Sequence, residues 1–165
     1  MGAFQGNFGV LVRAFAYIRT LGKEGIRAIS DDAVVNANYI LAKLRGYYDL
    51  PFDRLCMHEV VLSARNLKNE FNVSALDVAK RLIDYGVHPP TMYFPLIVEE
   101  ALMIEPTETE SLETLDTFIE IMKAISEEAR DNPDLLHGAP HFTANTRLDE
   151  VRAARQPDLR WRGNG

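Results

Sequence analysis

A chain of 165 residues with 47% apolar content can bury one real core and would ordinarily fold as one domain. Its 18 basic and 24 acidic residues give a formal net charge of −6, which disfavours sequence-independent nucleic-acid binding because neutralising phosphates takes clustered Lys and Arg. The single cysteine, Cys56, excludes an intrachain disulfide framework and fits a reducing, cytoplasmic setting; Met1-Gly2-Ala3-Phe4 lacks the basic and apolar regions of an export signal, and no apolar run approaches the ~18 residues of a membrane span.

Met1-Gly2-Ala3 reads as an added start, because a dense apolar motif follows it at once. From Phe8 to Leu21 the apolar positions Val10, Leu11, Ala14, Phe15, Ile18 and Leu21 fall at helical spacing. Gly22 and Gly25 are expected to interrupt, and the stripe resumes over Ile26–Leu44 until Gly46, giving two helices or one long kinked helix. Loose alternation over Leu55–Ala64 predicts a strand with Cys56, His58, Val60 and Leu62 on one face. Asn66, Asn69 and Asn72 mark a loop after it. Ser74 with Asp77 three residues on predicts a capped helix through Tyr85, stopped by Gly86. Met92–Phe94 and Ala101–Glu105 read as short strands of a hairpin, with Pro95 at a strand end or edge. Ser111–Arg130 is a clean amphipathic helix, ended by Asp131-Asn132-Pro133. After Pro140 the periodicity is lost in an arginine-rich tail, with a short helix possible at Leu148–Arg155, that is expected to wrap another part of the protein.

Candidate chemistry is sparse. Cys56 and His58 lie two apart on one predicted strand face, too far for a good thiol–imidazole hydrogen bond, and a buried thiol is the commoner outcome. His137 and His141 have the spacing of a helical metal pair, but Gly138 and Pro140 forbid that helix and no further ligand is near. No phosphate-cradling glycine loop occurs. From Glu99 to Asp134, 12 acidic residues stand against Lys123 and Arg130, a solvated face rather than a cation site. The stretch Gly86–Ser111 concentrates what remains. Pro89 and Pro90 fix their own φ and extend the residue before each, which holds His88 in a rigid loop. If the hairpin joins the two ends of the stretch, His88 has Thr91, Glu105, Thr107 and Glu108 as neighbours. An imidazole there can serve substrate or simply favour the C-terminal dipole of the preceding helix.

That stretch, with Glu113-Thr114-Leu115-Asp116 after it, resembles the C-terminal region of the glycine decarboxylase P-protein family of the glycine cleavage system. Gly6 to Arg19 and Asn36-Ala37-Asn38-Tyr39 upstream resemble the same family, as do Arg147-Leu148-Asp149-Glu150, Ala153-Ala154-Arg155 and Leu159-Arg160-Trp161 downstream, in the family's order. The resemblance implies an α/β domain of α+β type, a small mainly antiparallel sheet with helices packed on one face, similar to the small C-terminal domain of fold-type I pyridoxal-phosphate enzymes. Residues 1–46 would be N-terminal helices leading into the domain, 47–135 the sheet-plus-helix domain and 136–165 an extended tail. It further implies a complete enzyme, of one chain or two subunit types, that uses pyridoxal phosphate as electron sink to decarboxylate glycine and passes the aminomethyl group to the lipoyl arm of H-protein; the apolar stripes before Gly46 separately lead to the expectation of an oligomer. The family's cofactor lysine lies in a histidine-lysine motif upstream of this stretch, and none of Lys23, Lys43, Lys68, Lys80 and Lys123 stands in such a motif. This chain alone is therefore expected to bind no cofactor and to be inert. A different class of function is a freestanding regulatory module that binds a small ligand or a protein through the hairpin or the acidic face.

Overall fold

The computed structural model describes residues 6–161; the expected added start at Met1-Gly2-Ala3 and the end of the tail at 162–165 lie outside them. The first helix, α1 (Phe8–Leu44), opens on Asn7, whose side chain accepts the Val10 N–H at 3.3 Å. It is one run with a break at Gly22, where φ 65° and ψ −171° leave helical space. Gly25 stays helical, contrary to expectation, so a single glycine divides the run. Before the break every side chain of α1 is exposed apart from half-buried Leu21; after it Ala37, Ile40, Leu41 and Leu44 are buried.

Strand β1 (Val60–Ser63) is shorter than the predicted Leu55–Ala64. The reason is a side chain on α1: Asn38 accepts the Cys56 N–H at 3.0 Å and donates to the Cys56 carbonyl at 2.8 Å, taking both groups a sheet ladder would need. Cys56 and His58 consequently share no strand face. The expected asparagine loop is helix α2 (Arg65–Phe71), seated by buried Leu67 and by the Asn66 amide donating to the Tyr47 carbonyl at 3.1 Å. Packing overrides the weak helix propensity of asparagine, and only Asn72, at φ 60°, plays the left-handed terminating role. Helix α3 (Ala75–Asp84) carries the expected capping box of Ser74 and Asp77.

Strands β2 (Thr91–Met92) and β3 (Ala101–Ile104) pair antiparallel, and β1 pairs antiparallel on the other side of β3, in the order β1-β3-β2. The register sets Val60 opposite Ile104 and Leu62 opposite Leu102, so all four point to one face. Against that face pack Ile40 and Leu44 of α1, Val78 and Leu82 of α3, and Leu115, Ile119, Met122 and Ile125 of α4 (Leu112–Asp131). This is the expected small antiparallel sheet with helices on one face. Each such side chain contributes about 1.5–3 kcal/mol on burial, so the core is ample for the sheet it covers. Buried Tyr48 donates its hydroxyl to the Met122 carbonyl at 2.9 Å, and burial raises its pKa. Pro133 does not simply end the helical chain: it is the first residue of the short helix α5 (Pro133–His137), which the sequence reading missed. The tail, including α6 (Glu150–Arg155), is exposed from His141 to Trp161 but fastened at its root, where Asp84 accepts the His141 and Phe142 N–H groups at 2.6 and 3.1 Å.

Candidate functional site

Helix α3 ends in backbone capping, with the Tyr85 N–H on the Leu82 carbonyl at 3.1 Å, Gly86 at φ 75° and the Val87 N–H back on Leu82 at 3.0 Å. The chain then runs through His88-Pro89-Pro90 into β2. Because Thr91 lies opposite Met103 in the sheet, the residues that enter β2 and those that leave β3 meet at one end of the hairpin. Between them is a partly open cavity of ≈ 490 Å³. It is lined by His88, Pro90 and Thr91 at the entry to β2, by Glu105, Pro106 and Glu110 after β3, and by Thr114, Leu115 and Phe118 of α4 (Leu112–Asp131) with Ile40 of α1. The lining is mostly apolar, with a few hydroxyls, carboxylates and one imidazole, the usual make-up of a small-molecule cleft. The His88 side chain has no hydrogen bond or ion pair among the described residues, so no imidazole hydrogen bond caps α3.

Three of the five expected residues, His88, Thr91 and Glu105, therefore line one space. Thr107 and Glu108 do not. The Thr107 carbonyl accepts the Asn36 amide at 2.9 Å, the Thr107 and Thr109 hydroxyls bond at 2.7 Å, and Glu108 Oε1 accepts the Tyr17 hydroxyl. Glu108 is turned to α1, and Thr107 meets α1 through its backbone carbonyl. The hydrogen bond from Tyr17 lowers the Glu108 pKa, and the same bond raises that of Tyr17. The sequence reading missed Glu110, Thr114 and Phe118; the signal was present in the charged run after Pro106 and in the helical step from Glu110 to Thr114 to Phe118.

The two remaining motifs are used structurally. Burial raises the Cys56 thiol pKa, with Glu59 adding to it, which makes the thiol a poor nucleophile. His141 Nε2 lies 2.8 Å from the Leu135 carbonyl, His137 Nδ1 lies 3.7 Å from Asp77, and α5 stops between the two histidines. Among the described residues no group of three or more His, Cys, Asp or Glu is placed to hold a metal ion, and no helix is long and apolar enough to cross a membrane.

Pyridoxal phosphate, which the resemblance implies for the complete enzyme, does not fit the cavity as a group held by this chain. No lysine lines it, and Glu105 and Glu110 face the space where an anionic phosphate would have to sit. The cavity can offer apolar contact and hydrogen bonds to something held from outside.

Residues 29–141 match the family model described as glycine dehydrogenase, C-terminal domain. The chain is 60% identical over 158 residues to a probable glycine dehydrogenase (decarboxylating) subunit 2 of Bacillus cytotoxicus, a match covering 96% of this chain and 32% of the relative. It is 59% identical over 159 residues to the protein of the same description from Caldanaerobacter subterraneus subsp. tengcongensis, covering 96% and 33%. The chain thus spans about a third of the length of the curated relatives it matches. Among solved structures it is similar to a glycine decarboxylase (P-protein) of the glycine cleavage system in inhibitor-bound form, with TM-score 0.56 and 21% identity over 67% of this chain and 24% of that one, a likeness of fold.

Proposed function

The chain belongs to the glycine dehydrogenase C-terminal domain family, and from that premise we propose that it forms one wall of the active-site cleft of a pyridoxal-phosphate-dependent glycine decarboxylase. The enzyme it serves decarboxylates glycine and delivers the aminomethyl group to the lipoyl arm of H-protein. The rest of the enzyme, whether in the same polypeptide or in a second subunit type, supplies the cofactor lysine and phosphate site. Within that enzyme the present domain shapes the cleft, excludes water and places His88 beside the reacting end of glycine. Its substrate-facing residues in this reading are His88, Thr91 and Glu105, backed by Glu110. Thr107 and Glu108 serve from behind as supports of the loop.

The observation that carries the reading is the cavity itself: His88 and Pro90 of the proline-stiffened loop and the carboxylates of Glu105 and Glu110 line one mostly apolar space. Two exposed apolar surfaces support the dependence on further polypeptide. One is the front of α1, with Phe8 80% and Phe15 67% exposed; the other joins the 52–57 and 93–97 loops, where Leu55, Leu96 and Ile97 are each more than four-fifths exposed.

The test is His88→Ala in the complete enzyme. Glycine decarboxylation is expected to fall about tenfold or more, the usual cost of a displaced acid–base or orienting group. The melting temperature should stay within about 2 °C, because an exposed loop side chain without hydrogen bonds contributes little to stability. Unchanged turnover would return His88 to a purely local role beside α3.

A further inference from the structure

We infer that Tyr17 is a positioning residue that couples the front of α1 to the rim of the cavity, an inference that rests on the cavity being part of the enzyme's cleft. The two halves of α1, on either side of Gly22, both hold the same two-residue segment. From behind the break, Asn36 fixes the Thr107 carbonyl at 2.9 Å; from ahead of it, the Tyr17 hydroxyl binds the Glu108 carboxylate. The rear half is also tied to α4, through buried Ile40 and Leu44 and through the Tyr39 hydroxyl on Asp116 at 2.5 Å. The front half has no such anchorage. Among the described residues, Tyr17 to Glu108 is its one side-chain hydrogen bond to another element, and nothing lies within 4 Å of where a Gly22 Cβ would stand.

The front half is also the part that must be covered. Val10, Leu11, Val12, Phe15, Tyr17 and Ile18 are all at least 45% exposed and cover more than half of the circumference, with Arg13 and Thr20 on the remaining arc, a wider apolar face than a stable surface helix leaves in water. Its occupant is the remaining polypeptide of the enzyme, since the matched relatives are about three times longer than this chain and so wide an exposed apolar face needs a partner surface to cover it. Enclosure fixes the front half, Gly22 absorbs the angle, and Tyr17 transmits the setting to Glu108. Glu108 lies in the chain between Glu105 and Glu110, both of which line the cavity, so a shift at 108 moves the rim. The rim would thus take its working position only when the domain is docked. The Tyr17 and Glu108 pKa values move in opposite directions, as expected for a hydroxyl donating to an ionised carboxylate.

The experiment uses the complete enzyme with Tyr17→Phe, Glu108→Ala and the double variant. Amide hydrogen exchange of residues 105–111 is expected to rise about threefold or more in each, with α3 and the sheet unchanged, because a loop that loses a tether opens locally. The KM for glycine should rise about threefold to tenfold with a smaller change in kcat, and the double variant should be no worse than either single one. Unchanged exchange at 105–111, or additive effects in the double variant, would overturn the coupling. Faster exchange with glycine kinetics untouched in Tyr17→Phe but impaired in His88→Ala would also overturn it while leaving the cavity reading intact. Kinetics untouched in both would sink the cavity reading itself.

Discussion

Asp77 puts one buried carboxylate to three uses. Its Oδ2 accepts the Ser74 N–H at 2.7 Å and the Ser74 hydroxyl at 2.6 Å, and its Oδ1 accepts the Arg147 guanidinium at 2.6 Å, with the side chain only 7% exposed. Burial pushes its pKa up, but the Ser74 hydrogen bonds and the Arg147 charge outweigh it and hold the group below its ordinary value. Asp84 behaves alike: burial opposes the charge, while the His141 and Phe142 N–H groups and Arg81 more than restore it. Glu128, gripped by both Arg81 nitrogens at 2.8 Å and by the Tyr85 hydroxyl at 2.7 Å, is also lowered against its own burial. A depressed folded pKa gives stability that is present above the unfolded value near 4 and lost as pH falls through the lower folded value. The domain should therefore hold its stability from neutral pH to about 5 and lose it below about 4. Arg147 also donates to the Ala139 and Leu136 carbonyls, each at 2.9 Å. Replacing it by Met should cost about 1–2 kcal/mol in urea unfolding at pH 7, a charged network discounted for a side chain one-third exposed. The cost should shrink at acid pH, as Asp77 is protonated on passing through its lowered folded value. An equal loss at both pH values would mean that Arg147 acts by packing alone.

Among the elements, α3 and α4 were legible because local signals agree with tertiary need: a capping serine, a 3.6-residue apolar stripe and a stop. Ser74→Ala removes the acceptor of the Asp77 N–H and should cost about 1 kcal/mol in thermal or urea unfolding; no measurable loss would show that Asp77 alone caps the helix. What escaped the sequence depends on partners distant in the chain. The ladder of β1 ends early because Asn38, 18 residues upstream, claims the Cys56 backbone. Pro133 reads as a terminator whether or not a new helix begins on it, so α5 stayed hidden. Gly22 and Gly25 look alike in sequence, yet Gly22 sits at φ 65° in open space while a Cβ on Gly25 would meet Leu21 at 2.9 Å. One glycine bends the chain, and the other lies against the side chain of the preceding turn. Gly22→Ala should accordingly cost about 1 kcal/mol, since an L side chain at positive φ is strained. The candidate site divides the same way. His88, Thr91 and Glu105 were legible because strand pairing alone joins them, whereas Thr107 and Glu108 turn to Asn36 and Tyr17, at sequence separations of 71 and 91.

At the scale of the whole molecule, the core is closed around the sheet while the front of α1 and the 52–57 and 93–97 loops stay apolar and exposed. Taken alone in solution, such surface favours self-association, and light scattering across a wide concentration range should show a dimer or larger species; a strict monomer would mean that the exposed stripe is tolerated in water. Self-association would not create an enzyme. Decarboxylation through pyridoxal phosphate needs a lysine for the cofactor, a phosphate cradle and a carboxylate near the pyridine nitrogen. This chain places none of its lysines at the cavity, and doubling the chain doubles the acidic residues around an anionic cofactor rather than neutralising them. The purified chain mixed with pyridoxal phosphate should yield no stoichiometric lysine adduct after borohydride trapping and mass spectrometry, and no carbon dioxide from labelled glycine. One lysine trapped at full occupancy would identify a cofactor site that the cavity does not contain, and measurable carbon dioxide would place the chemistry in this domain itself.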